Sequence, residues 1–441
     1  MFNKRDLRRL IGPLIIEQAL SLTVGMIAMI MVSRLNEASV SGVSLVESVN
    51  ILLLNLFSAF ATGGAIIAGQ YIGKGERNNA RNAASQLVVA IFLISFLLSV
   101  LSVVFNRQIL YLIYGEIDEL VMQNARTYFY MTAMSFPVMA IYNVSAALFR
   151  AMGNSRISMI NAFIMNILNV TISAILIYGF GLGVLGAGIA VLSSRTFAAL
   201  TMILMLRNKN LPIYVRKYSI KSIEFSMIKR VLKIAVPSGV ESSSFQFGKL
   251  IVARIVSQQG MPSIAANAVA NSMSSISMIP GSAISLALTT VVSQCVGAGK
   301  YDQADKYIKH LLRIAYIGIF FLNISLFLGL TPIVSIFRLS PESSEIAKNI
   351  LRLYSISAIF IWPLSFSLPN AFRASGDAKF PMTVSMLSMI FVRIGMSFVM
   401  VYVFNLGVFG VWVAMIIDWV SRSTFFVIRW KSGKWKKKAL V

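Results

Sequence analysis

Two glutamates lie one helical turn after a proline, at matching places in the chain. Pro13 precedes Glu17, and Pro237 precedes Glu241. A proline inside a helix frees the carbonyl four residues earlier from its hydrogen bond and can bend the helix. A carboxylate in such a place suits proton exchange if its cavity is apolar, or Na⁺ binding if further oxygen ligands are at hand. The sequence therefore predicts that Glu17 and Glu241 bind H⁺ or Na⁺, and that Pro13 and Pro237 kink their helices.

Glu241 has the richer set of neighbouring oxygens, so a Na⁺ site is placed there if one exists. No other metal site is predicted, and no cofactor. A single cysteine, Cys295, and a single histidine, His310, argue against zinc or thiol chemistry, so we do not expect an enzyme. The side chains that could join Glu241 are those of Ser242, Ser243, Ser244 and Gln246.

The alternative interpretation of both glutamates is structural. They lie about ten residues into their helices, near the expected cytoplasmic interface. There Glu17 could pair with a base such as Arg9, and Glu241 with one such as Lys233. Lys249, deeper on the same helix as Glu241, could neutralise or gate it.

Two more acids fall within apolar stretches, where a carboxylate is costly and is by default a functional hypothesis. Glu47 begins a predicted helix. It could bind H⁺ or Na⁺, as proposed for Glu17 and Glu241, or simply be solvated. Asp418 follows a predicted turn near Asn405, and Arg393 precedes the same turn at nearly the same separation. The two would reach similar depth in an antiparallel hairpin, which favours a structural ion pair over a substrate site.

The composition defines the solvent of these helices. Of 441 residues, 57% are apolar and only 13% are charged, against about 25% charged in soluble domains. The mean hydropathy is +0.76. The net charge of +24 is spread between long apolar runs instead of lying on one polar domain, so it indicates membrane topology and not nucleic-acid binding.

Runs without charged residues predict an all-α polytopic membrane protein, because a spanning helix needs about 20 mainly apolar residues. Two longer runs are each divided into two helices by a turn containing glycine. The result is 12 transmembrane helices in two six-helix repeats. The predicted spans are 8–33, 46–73, 86–106, 124–150, 157–178, 184–206, 231–257, 265–296, 311–332, 347–372, 380–404 and 408–430.

The basic residues predict the orientation of the chain. Nearly three quarters of the 40 Lys and Arg fall in alternate connecting segments and at the two termini. By the positive-inside rule, both termini are cytoplasmic in a multi-pass protein of the plasma membrane.

The chain also repeats itself at a constant offset of 224 in the numbering. Pro13 and Pro237 differ by this number, as do Gly75 and Gly299. We therefore divide the chain into an N-terminal six-helix bundle (1–206), a basic cytoplasmic linker (207–230) and a C-terminal six-helix bundle with a basic tail (231–441). Two parallel repeats predict a transporter that rocks about a central cavity.

Several motifs recur in both halves and resemble those of the multidrug and toxic compound extrusion (MATE) family. The resemblance implies a V-shaped, twelve-helix exporter of amphipathic, often cationic compounds, driven by Na⁺ or H⁺. The motifs are Pro13-x-x-x-Glu17, Gly69-Gln70-x-x-Gly73-x-Gly75, Phe149-Arg150-Ala151-x-Gly153, Leu182-Gly183-x-x-Gly186-Ala187, Gln294-x-x-Gly297-x-Gly299 and Gly407-x-x-Gly410-Val411-Trp412.

The coupling acids of the family do not carry over. By alignment, the aspartates that one branch uses in helices one and five fall at Ala28 and Ser173, and the acids that another branch uses fall near Phe245 and Trp362. Candidates for the cavity lining are Lys249, Gln246, Phe245, Trp362, Asn169 and Ser173.

The leading hypothesis is therefore a monomeric secondary transporter that exports amphipathic or cationic drugs by Na⁺ or H⁺ antiport. Its partners are the substrate and the lipid bilayer. The first alternative is a flippase of related fold for lipid-linked oligosaccharide or polysaccharide. The second is a membrane scaffold or receptor that transports nothing.

Overall fold

The computed structural model describes residues 1–215 and 224–441, apart from the side chain of Lys437. In this part of the chain all regular structure is helical. The chain divides into two compact units, one of Phe2–Val236 and one of Pro237–Val441 together with Met1. The predicted linker rests partly on Arg216, Lys217 and Lys221, which lie outside the described residues.

Within residues 1–215 the first half of the chain forms eight helices, α1 to α8. A capping box starts the first of them, because Asn3 accepts from the backbone N–H of Asp6 and the Asp6 carboxylate accepts from that of Asn3. Pro13 lies inside this helix. The helices are α1 Lys4–Ser33, α2 Glu37–Lys74, α3 Arg77–Val104, α4 Asn106–Tyr114, α5 Glu119–Met134, α6 Phe136–Ala151, α7 Ser155–Gly179 and α8 Gly183–Leu206.

The described part of the second half contains eight long or short helices in the same order, α9 to α16, and a single 3-10 turn at Lys434–Lys437 after them. The first of them begins in one compact unit and continues into the other at Pro237. They are α9 Phe225–Ser257, α10 Met261–Ser277, α11 Ile279–Gly297, α12 Tyr301–Leu328, α13 Leu330–Ser335, α14 Pro341–Ser375, α15 Lys379–Val403 and α16 Gly407–Lys431.

Each of the twelve predicted spans corresponds to a helix or to a broken pair of helices. Ten single helices of the described chain are long and apolar enough to cross a membrane, and α5 with α6, bent by 48°, makes an eleventh. The twelfth span, α9, is 33 residues long but carries serines and charged side chains along its length. This polarity suits a helix that faces a solvated pathway better than one surrounded by lipid. The short helices α4 and α13, each after the third span of its half, were not predicted.

The second and eighth spans end in the same way, at a glycine. Gly75 and Gly299 have φ of 85° and 70°, the left-handed region that glycine enters without steric penalty. The next residue, Glu76, accepts hydrogen bonds from the side chains of Lys74 and Asn79, and these bonds lower the pKa of its carboxyl. The repeated glycines thus mark equivalent chain reversals.

Within each half, the helices pack through apolar faces. In the first, α1 packs on α7 and α2 on α6; in the second, α11 packs on α12 and α14. The second half has an aromatic core in which Tyr354 meets Trp412 and Trp419 edge-on, each at 5.9 Å between ring centroids. Large apolar side chains such as Leu97 and Phe321 remain exposed, as lipid-facing residues do.

Candidate functional site

The same three-residue set occurs in both halves, around the glutamate of the first helix. In the first half, Arg150 Nη1 donates to Glu17 Oε1 at 3.0 Å, and Ser158 Oγ donates to Glu17 Oε2 at 2.9 Å. The carboxylate is therefore held from α6 and from α7. Glu17 is only 7% exposed, so the arginine provides the countercharge that a buried carboxylate needs.

In the second half, Glu241 is bound in the same manner. Arg373 Nη2 donates to Glu241 Oε2 at 2.6 Å, and Ser385 Oγ donates to Glu241 Oε1 at 2.7 Å. Arg150 and Arg373 are the arginines of the Phe-Arg-Ala motif, which recurs within one position of the repeat offset. We call each set a Glu–Arg–Ser triad.

The triads change the interpretation of both glutamates. Their ion-pair partners are Arg150 and Arg373, not Arg9 or Lys233. Both oxygens of each carboxylate already accept a hydrogen bond. Among the described residues, no group of three or more His, Cys, Asp or Glu side chains could hold a metal ion. Na⁺ at Glu241 would therefore compete with an arginine for the same carboxylate.

A cavity of about 280 Å³ opens inside the first half, between α1, α2, α5, α6, α7 and α8. Ala28 and Ser173, where the family resemblance suggests acids, both line it, and so does Asn169. The only acid among its lining residues is Glu47, on α2. Met29, Met31, Met139 and Met165 line it too, which gives it an adaptable apolar wall.

Glu47 differs from the other acids proposed for the site. Tyr128 donates a hydrogen bond to Glu47 Oε1 at 2.7 Å, and Asn50 donates a longer one at 3.4 Å. Both donors are neutral, and Glu47 forms no salt bridge in the described part of the chain. Arg195, the cation of this cavity, donates instead to Ser135 Oγ at 2.8 Å. The cavity thus holds one carboxylate that no arginine binds.

The second half has a charged cluster on α9, α15 and α16, which we call the C-half cluster: Lys249, Arg393, Asp418 and Arg422. Arg422 donates to Asp418 and is its close partner. Arg393 Nη1 lies 3.9 Å from Asp418 Oδ2, as the hairpin depth predicted, but makes only a long ion pair. Sequence reasoning missed Arg422, although its i,i+4 spacing from Asp418 was a usable signal.

Aromatic side chains surround the cluster. Phe366 stacks on Trp362 at 5.1 Å and meets Phe245 edge-on at 6.4 Å. The Arg422 guanidinium lies over the rings of both phenylalanines. Two of the predicted lining residues, Phe245 and Trp362, therefore belong to one aromatic wall with Phe366. Gln246, next to Phe245 on α9, is partly buried.

Two repeats of six spanning segments, with a paired triad in each and polar groups inside each bundle, define a polytopic membrane transporter. The family comparison gives the particular group. The MatE family model matches residues 13–175 and 237–399, so both ends of the second match follow those of the first by the repeat offset. The chain belongs to the MATE family of multidrug efflux transporters.

Relatives agree over nearly the whole chain. A probable multidrug resistance protein NorM of Thermotoga maritima is 27% identical, with 99% of this chain and 94% of that protein covered. An uncharacterized transporter YisQ of Bacillus subtilis is 25% identical, with 97% and 94% covered. The outward-facing structure of a multidrug resistance MATE family transporter of the MOP superfamily matches with a TM-score of 0.88 at 19% identity, covering 98% of this chain and 96% of that one. The last comparison shows the fold.

Proposed function

We propose that the protein exports amphipathic or cationic compounds by alternating access, in exchange for Na⁺ or H⁺, and that Glu47 is the carboxylate that binds the coupling ion. One observation carries this proposal: Glu47 is the acid of the first-half cavity and lacks a salt bridge in the described part of the chain. Glu17, Glu241 and Asp418 each bind an arginine.

The difference in partners matters because a coupling site must exchange its cation during each cycle. A carboxylate held by a buried or partly buried arginine is already neutralised, and displacing that arginine leaves an unpaired charge in a poor solvent. A carboxylate held only by Tyr128 and Asn50 can accept H⁺ or Na⁺ without this cost. The hydroxyl and amides that line the cavity, those of Ser173, Asn166 and Asn169, provide further oxygen ligands for Na⁺.

Transport in liposomes under separately imposed Na⁺ and pH gradients tests the proposal. We expect a gradient of one ion to drive export of a fluorescent amphipathic cation, and Glu47→Gln to abolish the stimulation while substrate still binds. Glu37→Gln makes the same change at an exposed position on the same helix and should keep full stimulation. Full gradient-driven transport by Glu47→Gln would reject Glu47 as the coupling residue.

A flippase for lipid-linked oligosaccharide is a second candidate, and the C-half cluster favours it. Three cations face one acid there, which suits the phosphate of a lipid carrier. Reconstitution with a fluorescent polyprenyl-phosphate-linked sugar measures this activity directly. Its movement between leaflets, without any movement of the amphipathic cation, would replace export by flipping.

The topology belongs to the same proposal. Export from the cell requires a protein of the cytoplasmic membrane, and the basic segments favour cytoplasmic termini. Cysteines introduced at each end of a Cys295→Ala variant can be probed with a membrane-impermeant maleimide. In intact cells both termini should stay unlabelled, and in inverted vesicles both should react.

A further inference from the structure

The C-half cluster carries more positive than negative charge. Lys249, Arg393 and Arg422 are its cations, and Asp418 is its acid. Asp418 is fully buried and is bound by Arg422 and by Ser388. The cluster therefore has one carboxylate for three cations, and only Arg393 and Arg422 lie within ion-pair distance of it.

Hydrogen-bond donors of this cluster remain unused. Arg393 and Arg422 are 9% and 3% exposed. The Nε and Nη1 atoms of Arg393 and the Nε atom of Arg422 are buried without a hydrogen-bond partner. Lys249 forms no salt bridge with any acid of the described chain. Buried guanidinium donors without acceptors are costly, so these groups fit a ligand that brings its own negative charge.

The repeat gives a second and independent reason to regard this place as a binding site. With the offset of 224, Lys249, Arg393 and Asp418 correspond to Gly25, Asn169 and Ser194. All three of these first-half residues line the cavity that contains Glu47. The correspondence extends to contacts, because Asn169 Nδ2 lies 3.4 Å from Ser194 Oγ, where the second half has Arg393 beside Asp418. The cluster thus occupies the position that is a cavity in the other half.

The walls of the cluster suit an aromatic ligand. The Lys249 ammonium lies 6.0 Å from the ring centroid of Phe245, and the Arg422 guanidinium lies 4.9 Å from that of Phe366. Lys249 is exposed at the edge of the cluster, whereas the two arginines are buried deeper. An acidic group could enter past Lys249 while an apolar ring remains against the phenylalanines.

We propose that the C-half cluster binds the acidic group of the exported compound, a carboxylate, sulfonate or phosphate carried by an aromatic amphiphile. A zwitterion that also bears a cationic group satisfies both this proposal and the proposed export function, on which it rests. Lys249 and Arg393 bind the anion. Arg422 holds the Asp418 carboxylate, so that Asp418 does not neutralise Lys249 and Arg393. The substrate class is therefore set by Lys249 and Arg393 as much as by the cavity of the first half.

A matched pair of dyes tests this assignment. Rhodamine 110 has a free carboxylate, and rhodamine 123 is its methyl ester. We expect the purified protein, measured by fluorescence anisotropy, to bind rhodamine 110 about tenfold more tightly, the factor that one charge-assisted hydrogen bond supplies. Lys249→Gln changes an exposed side chain and should remove most of this preference. Arg254→Gln removes a cation from the same helix and should keep it.

Equal binding of the two dyes, binding of neither, or an unchanged preference in Lys249→Gln would overturn the assignment. The protein is also measured in vesicles with and without phosphatidylglycerol. Loss of the preference in the presence of that anionic lipid would assign the cluster to a lipid headgroup and reject the substrate site.

Transport of the dyes in liposomes separates this inference from the proposed function. A preference for rhodamine 110 without transport of either dye supports the anion site and rejects export of these compounds. Transport of both dyes with equal affinity supports export and rejects the anion site.

Discussion

The first half of the chain keeps a cavity at the place where the second half packs charged and aromatic side chains. Glu47 lines that cavity, and its counterpart at the repeat offset is Asn271, which is exposed and bonds only to its own helix. Arg195 corresponds to Trp419, a fully buried ring in the aromatic core. The two repeats share a backbone plan but not an interior.

The Glu–Arg–Ser triads show the opposite behaviour. They recur in both halves with hydrogen bonds of 2.6–3.0 Å, and each joins the first span of its half to the fourth and fifth. A set of contacts that is present in both repeats serves a need that both halves share. In each half the triad links three spans, so the shared need is helix packing. Groups that differ between the repeats serve what only one half does. On this comparison we propose a structural role for the triads, and coupling and substrate selection for the two interiors.

The largest effect that the comparison predicts comes from Asp418. Asp418→Asn leaves Arg393 and Arg422 buried without their carboxylate, so we expect a loss of about 3–5 kcal/mol in the free energy of unfolding. Ser194→Ala at the equivalent position of the first half should cost about 1–2 kcal/mol, because it removes two neutral hydrogen bonds, one accepted from Asn169 and one donated to the Val191 carbonyl. Thermal unfolding in detergent measures both. Similar losses of stability in the two variants would mean that Asp418 contributes no more to the folded state than its neutral counterpart Ser194 does.

The next effect concerns the triads. Arg150→Met leaves the buried Glu17 unpaired, and Arg373→Met leaves the partly buried Glu241 unpaired. We expect each to cost about 3 kcal/mol, the lower end of the range for a broken buried ion pair, because a serine still binds the carboxylate. Adding Glu17→Gln to the first variant, or Glu241→Gln to the second, should recover much of the loss. A loss in one half only would break the equivalence of the triads, and loss of coupling with full stability would make them transport sites.

Most of the fold was predictable because the lipid core imposes a simple rule on span length. The lengths of the apolar runs account for eleven of the twelve spans, whereas α9 carries charged side chains along its length. The glycines at positions 75 and 299 mark equivalent turns. The breaks within two spans, α5–α6 and α10–α11, were not predicted, because a run of apolar residues has the same composition whether it is straight or bent. The short helices α4 and α13 are shorter than the runs that the rule detects.

The site was harder to predict, for physical reasons that its residues make clear. A charged residue in an apolar pattern looks like a boundary, so Arg150 and Arg373 mark only the ends of spans in the sequence. Their pairing with glutamates far away along the chain depends on tertiary packing. The cavity around Glu47 arises where small side chains such as Gly25 and Ala28 meet. Nothing in the local pattern distinguishes that arrangement from ordinary helix packing.

The smallest predicted effect tests whether the triads are equivalent in contact or only in register. Ser385 lies nearly one helical turn beyond the position that the repeat offset assigns to Ser158, yet each serine donates to its glutamate. Ser158→Ala and Ser385→Ala should therefore cost the same, about 1.5 kcal/mol, the lower end of the range for a hydrogen bond to a charged acceptor, because an arginine still binds each carboxylate. Thr383→Ala removes an exposed hydroxyl that bonds only to its own helix and should cost about 0.5 kcal/mol or less.

Equal losses for the two serines, measured by thermal unfolding, would show that the contact was kept while the residue supplying it moved by a turn. A loss confined to Ser158 would mean that the second triad is an arginine–glutamate pair to which the serine adds nothing.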